Sequence, residues 1–449
     1  MPTISQSVNP HNDTSGRRRL LGQTLSVASA FACFSQLPPR ESRAANEKLK
    51  LGFVGVGNRG RNNLIPMRGE DVFALCDVDQ NHLDQRGNEF PAAKKYRDFR
   101  EMLQAVKLDG LVISAPNHIH AVATTQALQR GMHVYCEKPL THNMSEIWRV
   151  RDLAKRKSPA AKGPNLVTQM GNQHHSSIGY QQAIAILRRG LLGRVREVHS
   201  WTSKPFWPQG RNRPRGSEPI PRHLNWDLWL GPAAKRPYNS CYTPLRWRGW
   251  WDFGGGVLGD MGPHLLDPIV AGLQLGEPNQ ISAKTDKRFL QTAPKWSIVN
   301  FQFPAVGQRS AVSLTWYDGG KQPPRQQTKI ARLPPNGSLV IGEKARLFIP
   351  QLGAKPILLD ARNKRLRTPK IKLPPLVGHH QQWLSACRGR GTTTCNFQYA
   401  STLTAICMLG NIAVRMGKTF RWDAKTRRAS VASAQPFLGR SYRQGWKLK

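Results

Sequence analysis

The chain has 449 residues, 39% of them hydrophobic, and sets 67 lysines and arginines against 27 acidic residues for a formal net charge of +40. That length allows two or more packed domains, and the charge attracts polyanions such as acidic polysaccharide, a membrane surface or nucleic acid. The basic residues are spread along the whole chain without a zinc-finger, helix-turn-helix or aromatic RNA-binding signature, so nucleic acid is not expected as the partner; a lineage bias toward basic composition is the alternative to a specific anionic ligand.

The first segment with a signature is Arg17-Arg18-Arg19-Leu20-Leu21, ahead of a modest apolar stretch from Leu20 to Leu37. It reads as a twin-arginine-type export signal, which carries folded, cofactor-loaded proteins. Gly16 stands where Ser or Thr is usual, Ala30-Phe31-Ala32 offers a cleavage site, and Cys33 offers a poorly matched lipoprotein anchor. Residues 33–47 are a polar linker, so 1–47 is taken as signal and linker, with the periplasm or cell envelope as destination and the cytoplasm if the segment is only a basic tail. The stretch is short and polar for a membrane span, and nothing later in the chain reads as one. The seven cysteines contain no CxxC. Cys76 and Cys136 fall at predicted strand ends as small core residues, and a protein folded before export needs no disulfides.

From residue 48 to 170 the pattern is βα repetition, which predicts a doubly wound α/β sheet. Strand 51–55 runs into Gly55-Val56-Gly57-Asn58-Arg59-Gly60, with a helix from about 60 and a second strand, 72–76. A helix follows near 80–90, then a strand over 109–114, a helix over 119–130, a strand at 133–136, a helix over 143–155 and a strand at 165–170. In such a unit Gly55 permits the tight turn, Gly57 lets backbone approach a pyrophosphate, and Gly60 lets helix and sheet pack closely. Phosphates would lie at the helix N-terminus, where Arg59 is a further phosphate candidate. Asp77, twenty residues after Gly57, would accept from a ribose diol. An acid there disfavours a 2′-phosphate, so NAD is expected rather than NADP. Glu137-Lys138-Pro139 sits at the C-terminal sheet edge, where ligands bind. The Lys138 ammonium would stabilise alkoxide character on a substrate oxygen, while Glu137 either pairs with it or braces the loop.

From 171 to 449 the texture is α+β. A helix is predicted over 178–189 and a strand over 195–199, followed by an irregular insertion at 204–250. Seven of the thirteen tryptophans lie between 201 and 251, divided between packing and stacking on pyranose faces. Arg211-Asn212-Arg213-Pro214-Arg215 is read as a solvated loop with an anionic sugar group as its alternative partner. A helix over 261–272 and strands at about 280–290, 296–303, 311–317, 327–331, 338–341 and 345–349 suggest an antiparallel sheet, and helices are expected over 381–388 and 400–416. No metal-ligand spacing occurs: His174-His175 and His379-His380 are adjacent pairs and read as loop histidines, with ligand or substrate contact as the alternative.

The densest chemistry outside the glycine loop is Gly254 through Asp267, GGGVLGDMGPHLLD. Pro263 suits a first helical turn. A helix starting near 260 places Asp260 and His264 on one face, where a carboxylate fixes the imidazole tautomer and raises its basicity, as a general base for an alcohol proton requires. Asp267, three residues on, could serve in the same way.

Taken together these segments resemble the Gfo/Idh/MocA family of sugar and inositol oxidoreductases, over nearly everything from about 49 to 446, and particularly its exported planctomycete-type members. The resemblance implies an NAD-binding Rossmann domain at 48–170 and a substrate and oligomerisation domain at 171–449 built on a large open antiparallel sheet, hence a homodimer or homotetramer. It assigns Gly55, Gly57, Asn58, Arg59, Gly60 and Asp77 to the cofactor, joined by Pro116, Asn117, His120 and Glu137. It makes Lys138, Asp260 and His264 the active-site residues. Gly171-Asn172-Gln173-His174 and the stretch from Asn396 to Ala413 also look like this subgroup.

The function so implied is NAD-dependent oxidation of a secondary hydroxyl on a sugar, polyol or glycoside. Some relatives in the family are glycosidases that oxidise transiently, eliminate the aglycone, add water and return the hydride. That redox-neutral route stays open here, as does oxidation of one sugar against reduction of another. A third class, a non-catalytic protein binding acidic glycans through its charge, would depend on salt and not on Lys138 or His264.

Overall fold

The computed structural model describes residues 47–155, 166–330, 332–350 and 352–448; the twin-arginine segment, Cys33 and the linker to residue 46 lie outside them. The first part of the chain runs β1 (Lys50–Val54), α1 (Asn58–Leu64), β2 (Asp71–Cys76), α2 (Gln80–Glu89), β3 (Lys94–Tyr96), α3 (Phe99–Ala105), β4 (Gly110–Ile113), α4 (Asn117–Gln129), β5 (His133–Glu137), α5 (Met144–Lys155) and β6 (Thr168–Gly171). The six strands pair in parallel in the order β3-β2-β1-β4-β5-β6. Chain order reverses between β1 and β4, and a crevice opens there at the strands' C-terminal ends, as doubly wound sheets require. Strand residues are apolar on both faces because both are covered. Leu111 and Ile113 join the main core, while Leu51, Phe53, Val112 and Tyr135 form a second one.

The turn after β1 is as tight as its glycines suggest. Gly55 has φ +80°, and a Cβ there would lie 2.9 Å from the backbone of Ser114 and Ala115. A Cβ on Gly60 would lie 1.8 Å from the Gly55 carbonyl oxygen. Backbone cannot yield as a flexible side chain does, so Gly60→Ala should cost about 3–5 kcal/mol of stability, read as a fall in the urea midpoint. An unchanged midpoint would show that the turn is looser than drawn.

The second part runs α6 (Ile178–Arg188), β7 (Val195–Thr202), α7 (Trp226–Leu230), α8 (Gly256–Leu265), α9 (Asp267–Gly272), β8 (Gln280–Thr285), β9 (Ser297–Phe303), β10 (Val312–Tyr317), α10 (Arg325–Thr328), β11 (Asn336–Gly342), β12 (Arg346–Ile349), β13 (Ile357–Leu359), α11 (His379–Cys387), α12 (Phe397–Met416), β14 (Phe420–Asp423), β15 (Arg428–Ala429) and α13 (Gln435–Leu438). Its sheet has nine strands in the order β13-β12-β11-β7-β10-β9-β8-β14-β15. The expected antiparallel pairing holds except between β7 and β10, which are parallel, so the sheet is mixed. After the crossover through α8 and α9, the meander β8-β9-β10 returns beside β7 in the same direction; residue alternation reveals a strand's faces but not its direction.

Other expectations are corrected. Where a strand was expected from 327, the chain instead ends the helical turn α10, which follows Pro323-Pro324 and is capped at Lys329 with φ +54°. The helix expected over 261–272 starts earlier, at Gly256, and breaks at Leu266 into α8 and α9, so Pro263 lies inside α8 and Pro268 takes the first-turn position of α9. The histidine pairs are not in loops: His174 and His175 sit on a 3-10 turn, Gln173–Ser176, and His379 and His380 open α11. α12 is long and apolar enough to cross a membrane, contrary to expectation, but 83% of its most apolar window is buried in the protein. α11 covers the first sheet: Trp383, Leu384 and Cys387 pack with Leu51, Phe53 and Tyr135. Gly110 makes room for it, since a Cβ there would lie 2.8 Å from the Trp383 ring.

Candidate active site

The crevice at the β1–β4 switch point has a volume of about 1070 Å³ and is lined by Gly55, Gly57, Asp77, Lys138, Asp260 and His264, among others. That is ample for a dinucleotide beside a substrate, set against the roughly 300–1,000 Å³ of small-molecule sites. Elements distant in sequence therefore converge: the glycine turn, the end of β2, the end of β5 and the middle of α8.

Asp77 closes β2 and turns back onto the glycine turn. Its Oδ2 accepts from the amides of Val56 at 2.8 Å and Gly57 at 3.3 Å, and its Oδ1 from Asp79 at 3.0 Å. Burial pushes its carboxyl up, against those amides and the nearby His82. Oδ1, with a single donor, keeps a lone pair that a ribose hydroxyl could use. Gly57 is approached from the other side by a side chain, since a Cβ there would meet the His82 imidazole at 2.3 Å. Asn58 takes φ +32° at the start of α1, which carries no side-chain cap.

Arg59 lines the crevice and is bonded within the protein. Its Nε donates to Glu137 Oε1 at 3.0 Å, and its guanidinium also bonds the Gln173 side chain. The same carboxylate oxygen accepts from Asn63 at 2.9 Å and Gln173 at 2.7 Å. Glu137 thus braces the loop, tying α1 to the turn after β6, and does not pair with Lys138. His120 is likewise internal: Nδ1 is 2.7 Å from the Pro139 carbonyl and Nε2 2.8 Å from that of Ala115. It holds together the two loops that border the crevice, and Pro116 and Asn117 line the wall between them.

At the far end Lys138 Nζ donates to Asp260 Oδ1 at 2.9 Å and to its carbonyl at 2.6 Å. Arg248 Nε adds a third contact, 3.1 Å from the same Oδ1. Burial alone would raise the Asp260 carboxyl, but these two cations hold it well below the usual carboxylate range. The carboxylate–imidazole hydrogen bond expected between Asp260 and His264 is not made. α8 does carry both, four residues apart, but the carboxylate turns to the two cations. Asp267 does not serve His264 either: it is fully buried, bonded to His175 at 2.9 Å and to the Tyr399 hydroxyl.

His264 is 8% exposed and its Nδ1 is enclosed without a hydrogen-bond partner. Burial, then the Lys138 ammonium, hold the imidazole well below its ordinary value. It is therefore neutral at pH 7 but, contrary to the expected carboxylate assistance, less basic than a free imidazole. Its ring neighbour is His174, edge-on with centroids 5.6 Å apart and also lining the crevice. Sequence reasoning missed this contact, and it missed Arg248; the Trp247-Arg248 pair preceding the glycine run was the available signal for the latter.

All seven tryptophans between 201 and 251 are buried, at 0 to 8% exposure. Trp226, Trp229, Trp247 and Trp250 pack with Tyr238, Tyr242 and Phe253 into an aromatic core of the insertion, from which Trp229 and Trp247 also reach the crevice. Arg213 pairs with Asp252 at 3.0 Å, away from the crevice. Among the described residues no cluster of His, Cys, Asp and Glu could hold a metal.

Comparison with known proteins agrees with this architecture. Residues 49–161 match the oxidoreductase family's NAD-binding Rossmann fold and residues 183–310 match its C-terminal alpha/beta domain. The chain is 31% identical to inositol 2-dehydrogenase of Salmonella typhimurium over 159 residues, 34% of this chain and 45% of that protein. It is 30% identical to alpha-N-acetylgalactosaminidase of Shewanella oneidensis over 165 residues, 33% and 34% of the two. It thus spans about half or less of the length of these curated relatives. The WlbA dehydrogenase from Bordetella pertussis, solved with NADH and UDP-GlcNAcA, shares the fold with TM-score 0.58 at 17% identity, over 84% of this chain and 99% of that one. An NAD-binding Rossmann domain joined to a mixed-sheet domain, with both family segments in register, places this chain in the Gfo/Idh/MocA oxidoreductase family.

Proposed function

We propose that this protein is an NAD-dependent oxidoreductase acting on a hydroxyl carbon of a sugar or polyol. The observation that carries the proposal is the meeting of Lys138 and His264 at the crevice that the glycine turn and Asp77 open. NAD bound there supplies the hydride acceptor. His264, neutral and with Nδ1 enclosed, presents Nε2 to the substrate hydroxyl and takes its proton. The Lys138 ammonium, held in place by Asp260, faces the oxygen as charge builds on it. Arg248 shares the Asp260 carboxylate and leaves this end of the crevice net positive, which favours an electron-rich oxygen there.

Lys138→Met tests the assignment, with NADH formation followed over a panel of aldoses, inositols and glycosides. We expect kcat to fall roughly 10²–10³-fold, as when one oxyanion donor is removed, with NADH binding by fluorescence retained. Wild-type turnover in that variant would remove Lys138 from the chemistry. A redox-neutral glycosidase is the second reading, supported by the similarity to an alpha-N-acetylgalactosaminidase. In that case glycosides release their aglycone while no NADH accumulates.

A further inference from the structure

The second sheet ends at β13, and the chain leaves that edge as a basic ribbon. Asp360 opens a tight turn: its Oδ1 accepts from the amides of Arg362 and Lys364, each at 2.8 Å, and Asn363 takes φ +63°. The chain then runs back along β13, with Leu366 N donating to the Leu358 carbonyl at 2.9 Å and Arg365 bridged to Leu359. From there to Gly378 it continues without helix or further strand pairing. Leu366 and Ile371 turn inward and pack against the main core. Alternation along an extended chain places their flanking residues on the outer side, and Arg365, Arg367, Lys370 and Lys372 are all exposed.

With Arg362 and Lys364 at the turn, six cations fall within residues 362–372. Asp360 is the only acidic residue between 344 and 422, and its Oδ1 is taken by the turn amides. Among the described residues no carboxylate forms an ion pair with any of the six. The ribbon from Arg365 to Lys372 is about 23 Å long at roughly 3.3 Å per residue, with its outward cations about 6.6 Å apart within each pair. Both ends of it are rooted at the 3-10 turn that carries His174. Before β13, a Cβ on Gly353 would lie 2.9 Å from His174 Nδ1. After the ribbon, His379 Nδ1 at the start of α11 stands 2.7 Å from the Ser176 hydroxyl. His174 lines the crevice edge-on to His264, so the ribbon leaves from and returns to the reacting end.

We propose that the ribbon over 362–372 is a docking strip for a linear acidic polysaccharide, carboxylated or sulfated, which it holds alongside the mouth of the crevice. The choice of a glycan among polyanions rests on the sugar-oxidising reading above. Unpaired cations on an extended backbone meet a flexible anionic chain without a fixed shape, and release of the polymer's counterions supplies the free energy. A chain held there keeps its sugar units at high effective concentration near His174 and His264. Single-stranded nucleic acid calls for aromatic rings on which bases stack, and residues 360–378 contain none. An anionic membrane calls for an amphipathic helix with its apolar face outward. Here the chain is not helical, Leu366 and Ile371 face inward, and Leu376 and Val377 are exposed only beyond the basic stretch.

The test uses the full chain and a variant combining Arg365→Gln, Arg367→Gln, Lys370→Gln and Lys372→Gln, all at exposed positions. Retention on polygalacturonate and on dextran sulfate is measured against neutral dextran over a range of salt, without NAD. We expect the wild type to bind an acidic polymer and not dextran, the preferred polymer telling carboxylate from sulfate. The variant should bind it roughly tenfold to a hundredfold more weakly at low salt, with a salt slope shallower by about 2–4. Lysine acetylation of the wild type, with and without bound polymer, reads the same contact without any variant: Lys364, Lys370 and Lys372 should be shielded several-fold and the exposed Lys235 should not. Wild-type binding by the variant overturns the proposal. So does binding of neither acidic polymer, shielding of Lys235 as strong as that of Lys370 and Lys372, or equal retention of single-stranded DNA or of phosphatidylserine vesicles. Neither measurement involves NAD, so a protein that binds the glycan through the ribbon but forms no NADH from any sugar removes the catalytic reading alone.

Discussion

His264→Ala should lower kcat about 10²–10⁴-fold, the range for loss of a positioned general base, while NAD affinity changes little. The imidazole is enclosed by α8 and the 3-10 turn carrying His174, and burial and the Lys138 ammonium outweigh the Asp260 carboxylate to keep it neutral at pH 7. The variant leaves the Lys138–Asp260–Arg248 cluster intact, since His264 makes no side-chain hydrogen bond to Asp260. It also leaves the glycine turn untouched. Steady-state kinetics beside an NADH fluorescence titration separate the two quantities. Unchanged kcat would move the base elsewhere, with His174 next in line; equal losses in kcat and NAD affinity would mean that the ring holds the crevice open.

The second large effect is on stability in acid. Burial holds His118 and His379 down to about 3 and His380 to about 4. Each is built in as a neutral ring facing an acceptor: His118 lies 2.9 Å from the Trp229 carbonyl, His379 2.9 Å from that of Met170, and His380 3.0 Å from Asn63 Oδ1. In the unfolded chain all three titrate near 6.5. Their contribution is complete above about pH 6.5 and is lost as pH falls, because the unfolded chain then binds protons that the folded chain refuses. Each costs about 1.4 kcal/mol per pH unit, roughly 4 kcal/mol per unit for the three. Asp318, pushed up to about 6 by burial, works in the opposite sense below that pH and offsets about one of them. His120, His142 and His264 share the sign of the three histidines, and Asp77 and Glu146 that of Asp318. Against a total stability of about 5–15 kcal/mol, the protein should keep a level urea midpoint from pH 8 to 7 and lose roughly 4–5 kcal/mol of stability between pH 6.5 and 5, read as a steep fall in that midpoint. A midpoint still level at pH 4.5 would show that these rings already carry charge in the folded state.

These two effects divide the site by how each part could be known. The glycine turn and Asp77 were legible because a turn of fixed geometry followed by an acid at fixed spacing is a local constraint. Lys138 was legible from its place at the end of β5, where every parallel sheet presents its ligand edge. The partner of Asp260 was not legible. Spacing along α8 put His264 within reach, but the carboxylate went to Lys138 and Arg248, one contributed by the other sheet and one by a turn twelve residues earlier. Opposite charges outcompete a neutral ring in a buried site, and only the fold brings those charges there. Arg59 and His120 both look free in the sequence, yet both line the crevice while bonded within the protein, Arg59 to Glu137 and Gln173 and His120 to the carbonyls of Pro139 and Ala115.

The tryptophan-rich insertion is the clearest division between the two sources. Its composition showed that something flat would be covered, yet not that the indoles would cover one another, with Trp229 and Trp247 reaching the crevice. By itself the sequence determined the strands and helices of the first sheet, the glycine turn and the family, and it singled out Lys138 and His264, which line the crevice, because local spacing and burial periodicity encode them. Only the tertiary structure decided which charge neutralises which, which way β10 runs, and that one domain walls the other's crevice. Most of those outcomes depend on contacts between residues far apart in the sequence, such as Lys138 and Asp260, 122 positions apart, and no local pattern records such contacts.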